Sequence, residues 1–359
     1  MRTALYEHHL ALGATLTDYA GWRMPLRYGS ETAEHLAVRA SAGMFDLGHM
    51  GQFEFTGWQA AEALDYALVG RLSELKPGQA RYTLICQADG GILDDLIVYR
   101  LEEDQFMLVA NAGNTSLVHE VLSVRLAAFD AQVTRIDQSL IALQGPSAAG
   151  ILALICDAHL GGLPYYSITP GMINDVPLLV ARTGYTGEDG FELYVPAEHA
   201  SAVWWALSAT GEPHGLRSAG LACRDTLRLE AGMPLYGHEL DASTTPYDAG
   251  LGRVVRLDKP GDFVGREALT AAAESPRRKR LVGLVSNGRR VLRAGQPVVD
   301  ARTREPVGEV TSGAASPSLR RPIAMAYVST VNAPLAVDIR GTLEPVDLSS
   351  LPFYRRSKS

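Results

Sequence analysis

The sequence predicts an α+β protein that closes with a small all-β domain. Up to about residue 250, segments with helical spacing alternate with short apolar, β-branched runs, which is typical of antiparallel sheets covered on one side by helices. From residue 281 onward, short apolar runs are separated by turn clusters, which indicates a barrel or a sandwich. The 359 residues, of which 47% are hydrophobic, are enough for two or three domains with packed cores.

The elements follow one another in a regular order. The first predicted helix begins after Ser30, a suitable N-cap, and apolar residues recur at helical spacing as far as Met44, with Gly43 near its end. Further helices are predicted at 58–68, 115–128, 202–207 and 219–230, and directly after Pro146. Strands are predicted at 52–56, 82–86, 92–98, 106–110, near 133 and 141, at 176–181 and 191–195, and in the closing domain at 281–285, 297–299, 307–311, 324–328 and 335–339.

Composition argues against several classes of protein. The net charge of −7 gives no sign of the basic face that a general nucleic-acid-binding protein presents. No apolar run is long enough to span a membrane, and the first residues lack the apolar core of an export signal. Cys86, Cys156 and Cys223 are far apart and show no metal-ligand spacing, so we expect reduced thiols, no metal site and a cytoplasmic protein.

Several sequence motifs of common enzyme classes are absent. The chain has no GxxxxGK[ST], no HExxH and no GxSxG string. A glycine pair at Gly250 and Gly252 lacks the third glycine of a dinucleotide-binding turn. Neither a nucleotide-driven reaction nor a zinc hydrolase is therefore supported.

The stretch GGILDDLIVY at 90–99 combines a turn with a buried strand. Its two glycines allow a close backbone approach or a positive φ, and the apolar run that follows predicts a strand. Because neighbouring side chains of a strand point to opposite faces, either Asp94 or Asp95 must face the interior. A buried carboxylate needs a partner. Taken alone, the pair is explained by one Asp that caps the turn and another that meets an arginine.

Three other segments carry acids and bases. The string GYTGEDGFEL at 184–193 is a glycine-rich turn leading into a strand, and on its own it predicts a tight turn and a solvent-facing Glu192. In the helix at 219–230, Asp225 and Arg228 have the spacing of a surface ion pair. The tail LPFYRR at 351–356 ends in two arginines, which are either solvated or folded back over a pocket.

Together these four segments resemble the aminomethyltransferase, or T-protein, family of the glycine cleavage system. The similarity covers essentially the whole chain. It also includes the strings DYAGW at 18–22, FDLGHM at 45–50, ALQGP at 142–146, LVGL at 281–284 and TSGAASP at 311–317. The strings at 90–98 and 184–190 are the most specific, and the second is shared with other folate-binding relatives.

The resemblance implies a three-domain cloverleaf with tetrahydrofolate in a central cavity. Two α+β domains with antiparallel sheets would comprise 1–48 with 138–245, and 49–137 with the aspartate strand; 246–279 would connect them to a C-terminal β-barrel domain at 280–359. It implies transfer of a methylene from the aminomethylated lipoyl arm of the H-protein to tetrahydrofolate, with release of ammonia. The partners would then be folate and the lipoylated H-protein, with no nucleic acid, membrane or metal.

The resemblance also assigns site residues. Asp95 matches the catalytic aspartate of the family, and Glu192 and Arg224 match its folate-contacting acid and base. Arg355 matches the tail arginine of bacterial members. Five further positions would line the folate cavity, namely Met50, Tyr82, Tyr99, Asn111 and Tyr185.

Two other functions are compatible with parts of this pattern. A folate-binding protein of iron–sulfur cluster maintenance carries a Lys-Gly-Cys-aromatic-x-Gly-Gln-Glu string, whereas residues 183–189 read TGYTGED. A flavin-fused folate-dependent demethylase needs a dinucleotide-binding domain for which this chain has no room. A stand-alone demethylase of the same fold remains the alternative.

Overall fold

A computed structural model describes residues 1–356. The chain divides into two compact units. The first unit contains Met1–Thr83, Asp95–Gly184 and Glu188–Arg224, and the second contains Leu84–Asp94, Tyr185–Gly187 and the chain from Asp225 onward. Within the described residues, no helix has both the length and the apolar character needed to cross a membrane.

Helices and strands alternate along the described chain. The helices are α1 (Tyr6–Ala11), α2 (Glu31–Ala40), α3 (Ala60–Ala67), α4 (Thr115–Leu126), α5 (Ala148–Leu152), α6 (Ala200–Gly211), α7 (Leu221–Glu230) and α8 (Arg266–Glu274). The strands up to α7 are β1 (Thr15–Tyr19), β2 (Trp22–Arg27), β3 (Ala42–Asp46), β4 (Gly51–Thr56), β5 (Ala80–Cys86), β6 (Ile92–Glu102), β7 (Gln105–Ala110), β8 (Gln132–Ile136), β9 (Gln138–Gln144), β10 (Ile168–Ile173), β11 (Val176–Ala181), β12 (Gly190–Pro196) and β13 (Leu216–Ser218). The strands after α8 are β14 (Arg280–Ser286), β15 (Pro297–Asp300), β16 (Pro306–Ser316), β17 (Arg321–Val328), β18 (Leu335–Ile339) and β19 (Thr342–Ser349).

The first unit contains a six-stranded sheet in the order β10-β11-β12-β9-β3-β13. Its pairs are antiparallel except for β13 with β3, which are parallel and therefore need the long connection that separates them in the chain. Almost every residue of β12 is buried because it has a neighbouring strand on each side. Side chains of α5 and α6, among them Ile151 and Trp204, pack into the core cluster of this sheet.

A second sheet has five strands in the order β5-β6-β7-β4-β8. The register of β6 and β7 pairs Ile97 with Val109, and continuing that register places Asn111 opposite Asp95. The strand predicted at 92–98 is confirmed, and it extends four residues further than the apolar run. The sheet therefore brings the residue after β7 next to the aspartate of β6.

The predicted end of α2 is wrong. Ser30 caps the helix as expected, since its side chain accepts a hydrogen bond from Ala33 N. The helix nevertheless stops at Ala40, and the residues up to Asp46 form the fully buried strand β3. A Cβ on Gly43 would lie 2.3 Å from Val38 Cγ2, so the chain can turn back this tightly only because that position is glycine. Met44 continued the helical spacing by coincidence.

The second unit ends in a closed barrel in the order β14-β17-β16-β15-β18-β19. Five of its strands were predicted, and the all-β character of the closing domain is confirmed. β19 was missed because its sequence, TLEPVDLS, alternates polar residues with only a few apolar ones and contains a proline. Pairing of β19 with both β18 and β14 closes the barrel around an apolar core.

Candidate active site

Asp95 lies on β6 between two strands that each supply a hydrogen-bond donor. The Tyr82 hydroxyl, from β5, donates to Oδ2 at 3.1 Å. The Asn111 amide, which follows β7, donates to Oδ1 at 2.8 Å and to the Asp95 carbonyl at 3.3 Å. Both carboxylate oxygens are thus oriented by neighbouring strands of one sheet. Three predicted site residues therefore form one cluster in the first unit.

The environment of Asp95 favours its protonated form more than water does. Burial raises the pKa of this carboxyl and outweighs the hydrogen bonds from Asn111 and Tyr82, which lower it. A carboxylate that is oriented, partly shielded from water and shifted in this direction is typical of a general base. Within the part of the chain that it describes, the structure does not pair Asp95 with an arginine. Its described side-chain donors are the neutral groups of Tyr82 and Asn111.

We expect Tyr82→Phe to raise the pKa of Asp95 further. The substitution keeps the ring and removes only the hydroxyl, which is one of the two side-chain hydrogen bonds that favour the ionised carboxylate. The titration of the carboxyl carbon, followed by NMR, measures this shift. Tyr66→Phe in α3 is a matched control that should leave the titration unchanged. A lower or unaltered pKa in Tyr82→Phe would contradict the assigned role of the hydroxyl.

Glu192 is buried in the central strand β12, with 6% of its surface exposed. It faces Ala181 on β11 and Ala142 on β9 in the sheet register. The Thr183 hydroxyl donates to Glu192 Oε2 at 2.5 Å, and the Tyr99 hydroxyl lies 3.5 Å from the same oxygen. The expectation of a solvent-facing Glu192 from the isolated string is wrong, because the side chain is buried against Thr183 and Tyr99.

A buried hydroxyl network supports Glu192. The Tyr194 hydroxyl donates to the Tyr99 hydroxyl at 3.0 Å, and Tyr99 is 3.0 Å from Thr183 Oγ1. Burial, followed by the charge of Glu192, raises the pKa of the Tyr99 hydroxyl well above its ordinary value. Both tyrosines therefore remain protonated donors. Thr183 and Tyr194 are site-supporting residues that the sequence analysis missed.

The acids of the string GYTGEDG are held in ion pairs. Glu188 Oε1 lies 2.9 Å from Arg39 Nη1. Asp189 accepts both a 3.0 Å and a 2.7 Å hydrogen bond from the Arg182 guanidinium, which is a forked arrangement. Gly184 leaves room for the Gln144 side chain, since a Cβ there would lie 2.0 Å from Gln144 Oε1. These contacts fix the turn between β11 and β12, and so they position Glu192.

Arg224 lies on α7, whose start is tied to β2 and α2. The buried Glu34 carboxylate accepts hydrogen bonds from Gly220 N at 3.0 Å and from Tyr28 N at 2.7 Å. A Cβ on Gly220 would lie 2.3 Å from the Leu26 carbonyl oxygen, so this close approach needs glycine.

The loop from 47 to 50 leads from β3 to β4 and carries Met50, which is partly exposed.

His49, next to Met50, is a buried neutral imidazole. Burial and the positive charge of Arg224 together lower its pKa to about 4, against the opposing effect of the nearby Asp46 carboxylate. Its ring meets Tyr19 edge-on, with centroids 5.4 Å apart. The electrostatic effect places His49 close to Arg224 in the first unit.

Two predicted site residues belong to the second unit. The Tyr185 hydroxyl donates to the Pro234 carbonyl at 2.5 Å. Arg355 is exposed and lies on a tail that folds back, since Tyr354 N donates to the Glu230 carbonyl at 2.8 Å. Leu351 and Phe353 pack against the barrel residues Ile323 and Met325 and against Leu229 of α7. The roles of Tyr185 and Arg355 toward folate stay predictions.

The glycine pair before β6 makes the close approach expected of it. Gly90 has φ 88°, and a Cβ on Gly91 would lie 2.0 Å from the Ala242 carbonyl oxygen. Ile92 N then donates to the carbonyls of Asp241 and Thr244. Asp94 is the fully buried member of the aspartate pair, and its charge contributes to the raised pKa of Tyr236 after burial.

Arg228 is not part of a surface ion pair, contrary to the prediction. It is 1% exposed and its Nη1 lies 2.9 Å from Glu239 Oε2, which is itself buried. Asp225 Oδ1 accepts from Nε at 2.8 Å, and Ser312 Oγ accepts from Nη2 at 2.7 Å. The predicted pair of Asp225 and Arg228 exists. The guanidinium is nevertheless buried, and its second partner is the buried Glu239 carboxylate, eleven residues further along the chain.

Tyr166 is a residue that the sequence analysis did not single out. It has φ 62°, in the left-handed region where a side chain other than that of glycine is strained. Such strain costs on the order of 1–3 kcal/mol and is found most often at functional sites. Burial, then the neighbouring Tyr165 hydroxyl and the charges of Glu192 and Asp95 raise the pKa of Tyr166. No local pattern in the sequence points to this conformation.

Among the described residues, no cluster of three or more His, Cys, Asp or Glu side chains has the arrangement of a metal site.

Two family models match successive parts of the chain. Residues 5–259 match the GCVT N-terminal domain, and residues 279–355 match the glycine cleavage T-protein C-terminal barrel domain. The aminomethyltransferase of Streptomyces coelicolor is 60% identical over 367 residues, covering 99% of this chain and 98% of its own. That of Saccharopolyspora erythraea is 56% identical, with coverage of 99% and 98%.

A solved structure has the same fold over the full length. The crystal structure of glycine cleavage system aminomethyltransferase T from Bartonella henselae matches with a TM-score of 0.91 and 38% identity, covering 100% of this chain and 99% of that one. The family resemblance noted in the sequence is thereby confirmed. This chain belongs to the aminomethyltransferase, or glycine cleavage T-protein, family.

Proposed function

We propose that this protein transfers the methylene of an aminomethyl group, carried as a thioether on the lipoyl arm of the H-protein, to tetrahydrofolate. The products are ammonia, 5,10-methylenetetrahydrofolate and the dihydrolipoyl H-protein. The observation that carries the proposal is Asp95, a carboxylate whose two oxygens are oriented by Tyr82 and Asn111 and whose pKa is raised by burial. Full-length similarity to proteins named aminomethyltransferase supports it.

The residues around Glu192 fit a reduced pterin. A pterin presents a ring N–H beside an amino group, and a carboxylate accepts from both in a charge-assisted fork. Glu192 is buried and anchored through one oxygen by Thr183, which orients its carboxyl group. Arg224 supplies a cation suited to a carbonyl oxygen. Tyr99 is fully buried behind Glu192, so its contribution is to hold this acid in place.

Asp95 serves as the base of the transfer. Two N–H protons of the folate must leave as two carbon–nitrogen bonds form, while the carbon–sulfur bond and the original carbon–nitrogen bond break. These protons end on the ammonia and on the lipoyl thiol. The Asp95 carboxylate accepts the N5 proton and stabilises the positive charge that develops on the one-carbon unit. A positioned base contributes on the order of 10²–10⁴-fold to the rate.

Positioning supplies the rest of the rate enhancement. Holding the lipoyl arm and the folate in contact gives effective molarities of about 10⁵ M or more. The scheme uses no covalent enzyme intermediate, and the side chains bonded to Asp95 are an amide and a phenol, which suit orientation. Asp95 and Glu192 lie in the same compact unit, so their separation is set by packed sheets.

The lipoylated H-protein and folate are the proposed partners, and tetrahydrofolate is a co-substrate. We keep the cytoplasm as the proposed location. In the structure Cys86, Cys156 and Cys223 are buried thiols, as expected for a protein of a reducing compartment.

A stand-alone folate-dependent demethylase is the alternative, and one assay separates the two functions. The purified protein is supplied with tetrahydrofolate and either aminomethylated H-protein or a series of methylated amines and sulfur compounds. We expect formation of methylenetetrahydrofolate with the H-protein substrate only. Turnover of a methylated small molecule without turnover of the H-protein substrate would favour the demethylase.

We expect Glu192→Gln to weaken tetrahydrofolate binding about tenfold to a hundredfold. The substitution removes the charge from hydrogen bonds that contribute about 1.5–3 kcal/mol each when charged, and every 1.4 kcal/mol is tenfold in affinity. Arg224→Ala should act in the same direction. Calorimetry measures the dissociation constants, with the exposed Glu198→Gln as the control. Unchanged affinity in Glu192→Gln would contradict the pterin assignment.

A further inference from the structure

Tyr166 connects the two sheets that carry the proposed acids of the first unit. Its backbone N–H donates to the Arg182 carbonyl at 3.0 Å, and its carbonyl accepts from Ala80 N at 2.8 Å. Arg182 directly precedes Thr183, the donor to Glu192. Ala80 begins β5, two residues before Tyr82, the donor to Asp95. The backbone of Tyr166 is therefore held by β5 and by the segment that directly follows β11, which carry the donors to the two carboxylates.

The conformation of Tyr166 is fixed in spite of its strain. The left-handed φ of 62° is held by these two backbone hydrogen bonds, and an edge-on contact with the Tyr165 ring, with centroids 4.8 Å apart, restrains the side chain. A glycine or asparagine would adopt this backbone more readily. Keeping a large phenol here is consistent with a use for the side chain itself.

The Tyr166 hydroxyl is a protonated donor in the field of two carboxylates. Burial, the neighbouring Tyr165 hydroxyl and the charges of Glu192 and Asp95 all raise its pKa, so the proton stays on the oxygen at neutral pH. Within residues 1–356, no group accepts a hydrogen bond from this hydroxyl. The residue as a whole is only partly buried.

We infer that Tyr166 donates a hydrogen bond from its hydroxyl to an acceptor atom of the bound pteridine, and so fixes the ring orientation between Glu192 and Asp95. This inference rests on the proposed function, because it takes folate as the ligand. In this arrangement Glu192 accepts hydrogen bonds from the donor edge of the pteridine ring. An acceptor atom at another position of the same ring then needs a donor from the protein. A phenol that cannot ionise beside two acids suits that acceptor, since it supplies a donor without adding charge.

Tyr166→Phe tests the inference because it removes one oxygen atom and keeps the ring and the backbone. We expect the dissociation constant for tetrahydrofolate to rise about tenfold, the loss of one hydrogen bond, with an unchanged denaturation midpoint. The KM for the aminomethylated H-protein should stay the same while the KM for tetrahydrofolate rises. Tyr165→Phe, one residue earlier and exposed, is the matched control and should bind as the unmodified protein does.

The possible outcomes are distinct. Wild-type affinity in Tyr166→Phe would overturn the inference and leave the proposed function intact. A lowered denaturation midpoint with unchanged affinity would show that the hydroxyl serves packing only, and would also overturn it. Absence of tetrahydrofolate binding by the unmodified protein would overturn the proposed function and the inference together.

Discussion

Replacing Asp95 with asparagine should reduce aminomethyl transfer by about 10²–10⁴-fold while tetrahydrofolate still binds. The amide keeps the size of the side chain and can still meet Tyr82 and Asn111, but it accepts no proton and carries no charge. Steady-state formation of methylenetetrahydrofolate measures the loss, and calorimetry measures the binding. Asp104→Asn, on the exposed turn between β6 and β7, is the matched control.

The same substitution should stabilise the protein at neutral pH. The folded state raises the pKa of Asp95, so the stability it contributes is present in acid and is lost as the pH rises through the folded pKa. Asparagine does not ionise and avoids that loss. The difference in unfolding free energy between the variant and the unmodified protein should therefore be largest near neutrality. It should vanish below the ordinary carboxyl pKa.

These two readouts separate a catalytic role from a structural one. A variant that is inactive because it is misfolded would be less stable at every pH. Normal turnover in Asp95→Asn would remove this residue from the mechanism. Lost activity together with raised stability is the pattern expected when a group that serves function is held in an environment unfavourable for its charge.

Arg228→Met should destabilise the protein by about 3–5 kcal/mol, the usual effect of removing one partner of a buried ion pair. Glu239 would be left as a buried carboxylate that keeps only the donors Leu235 N and Thr311 Oγ1. Burial lowers the pKa of Arg228, and the neighbouring Tyr185 hydroxyl with the charges of Glu239 and Asp225 outweighs that effect, so the guanidinium is cationic at any relevant pH. Denaturant unfolding measures the change.

The double variant Arg228→Met, Glu239→Gln should recover part of this loss because it removes the unpaired charge. Arg256→Met is a matched control, since Arg256 is only partly buried and its partner Asp258 is exposed, so removal of this pair should cost at most about 1 kcal/mol. An effect of Arg228→Met no larger than that of Arg256→Met would contradict the assigned role of the buried pair.

The local sequence pattern was sufficient to predict an element where its apolar residues are also the buried ones. The run from Ile92 to Tyr99 is apolar enough to be read as a strand, and the pleat alone requires one of Asp94 and Asp95 to be interior. Asp94 is fully buried. The glycine pair before it was correctly read as a close approach, because a Cβ on Gly91 would meet the Ala242 carbonyl. These features depend on short stretches of sequence.

Burial that depends on distant strands could not be predicted from local pattern. Glu192 occupies an alternating position of an ordinary strand, and its side chain is buried against Thr183 and against Tyr99 from the distant strand β6. Arg228 was correctly placed at helical spacing from Asp225, but its buried partner Glu239 lies outside the helix and Ser312 comes from the barrel. The family resemblance, not the pattern, supplied the functional assignment of Glu192.

The left-handed backbone conformation of Tyr166 could not be predicted from the sequence. Nothing in the residues around it favours a positive φ, and the conformation arises from hydrogen bonds to Arg182 and Ala80, which are 16 and 86 residues away in the numbering. The predicted end of α2 was wrong for a related reason. The helical spacing continues to Met44, whereas the helix ends at Ala40 and Gly43 packs closely against Val38 from the strand that follows.

A structure of this protein with bound tetrahydrofolate tests the central claim most directly. We expect the donor edge of the pterin within hydrogen-bond distance of the Glu192 carboxylate, and N5 beside the carboxylate of Asp95. A ring bound away from these two acids, or oriented with N5 facing away from Asp95, would contradict the account.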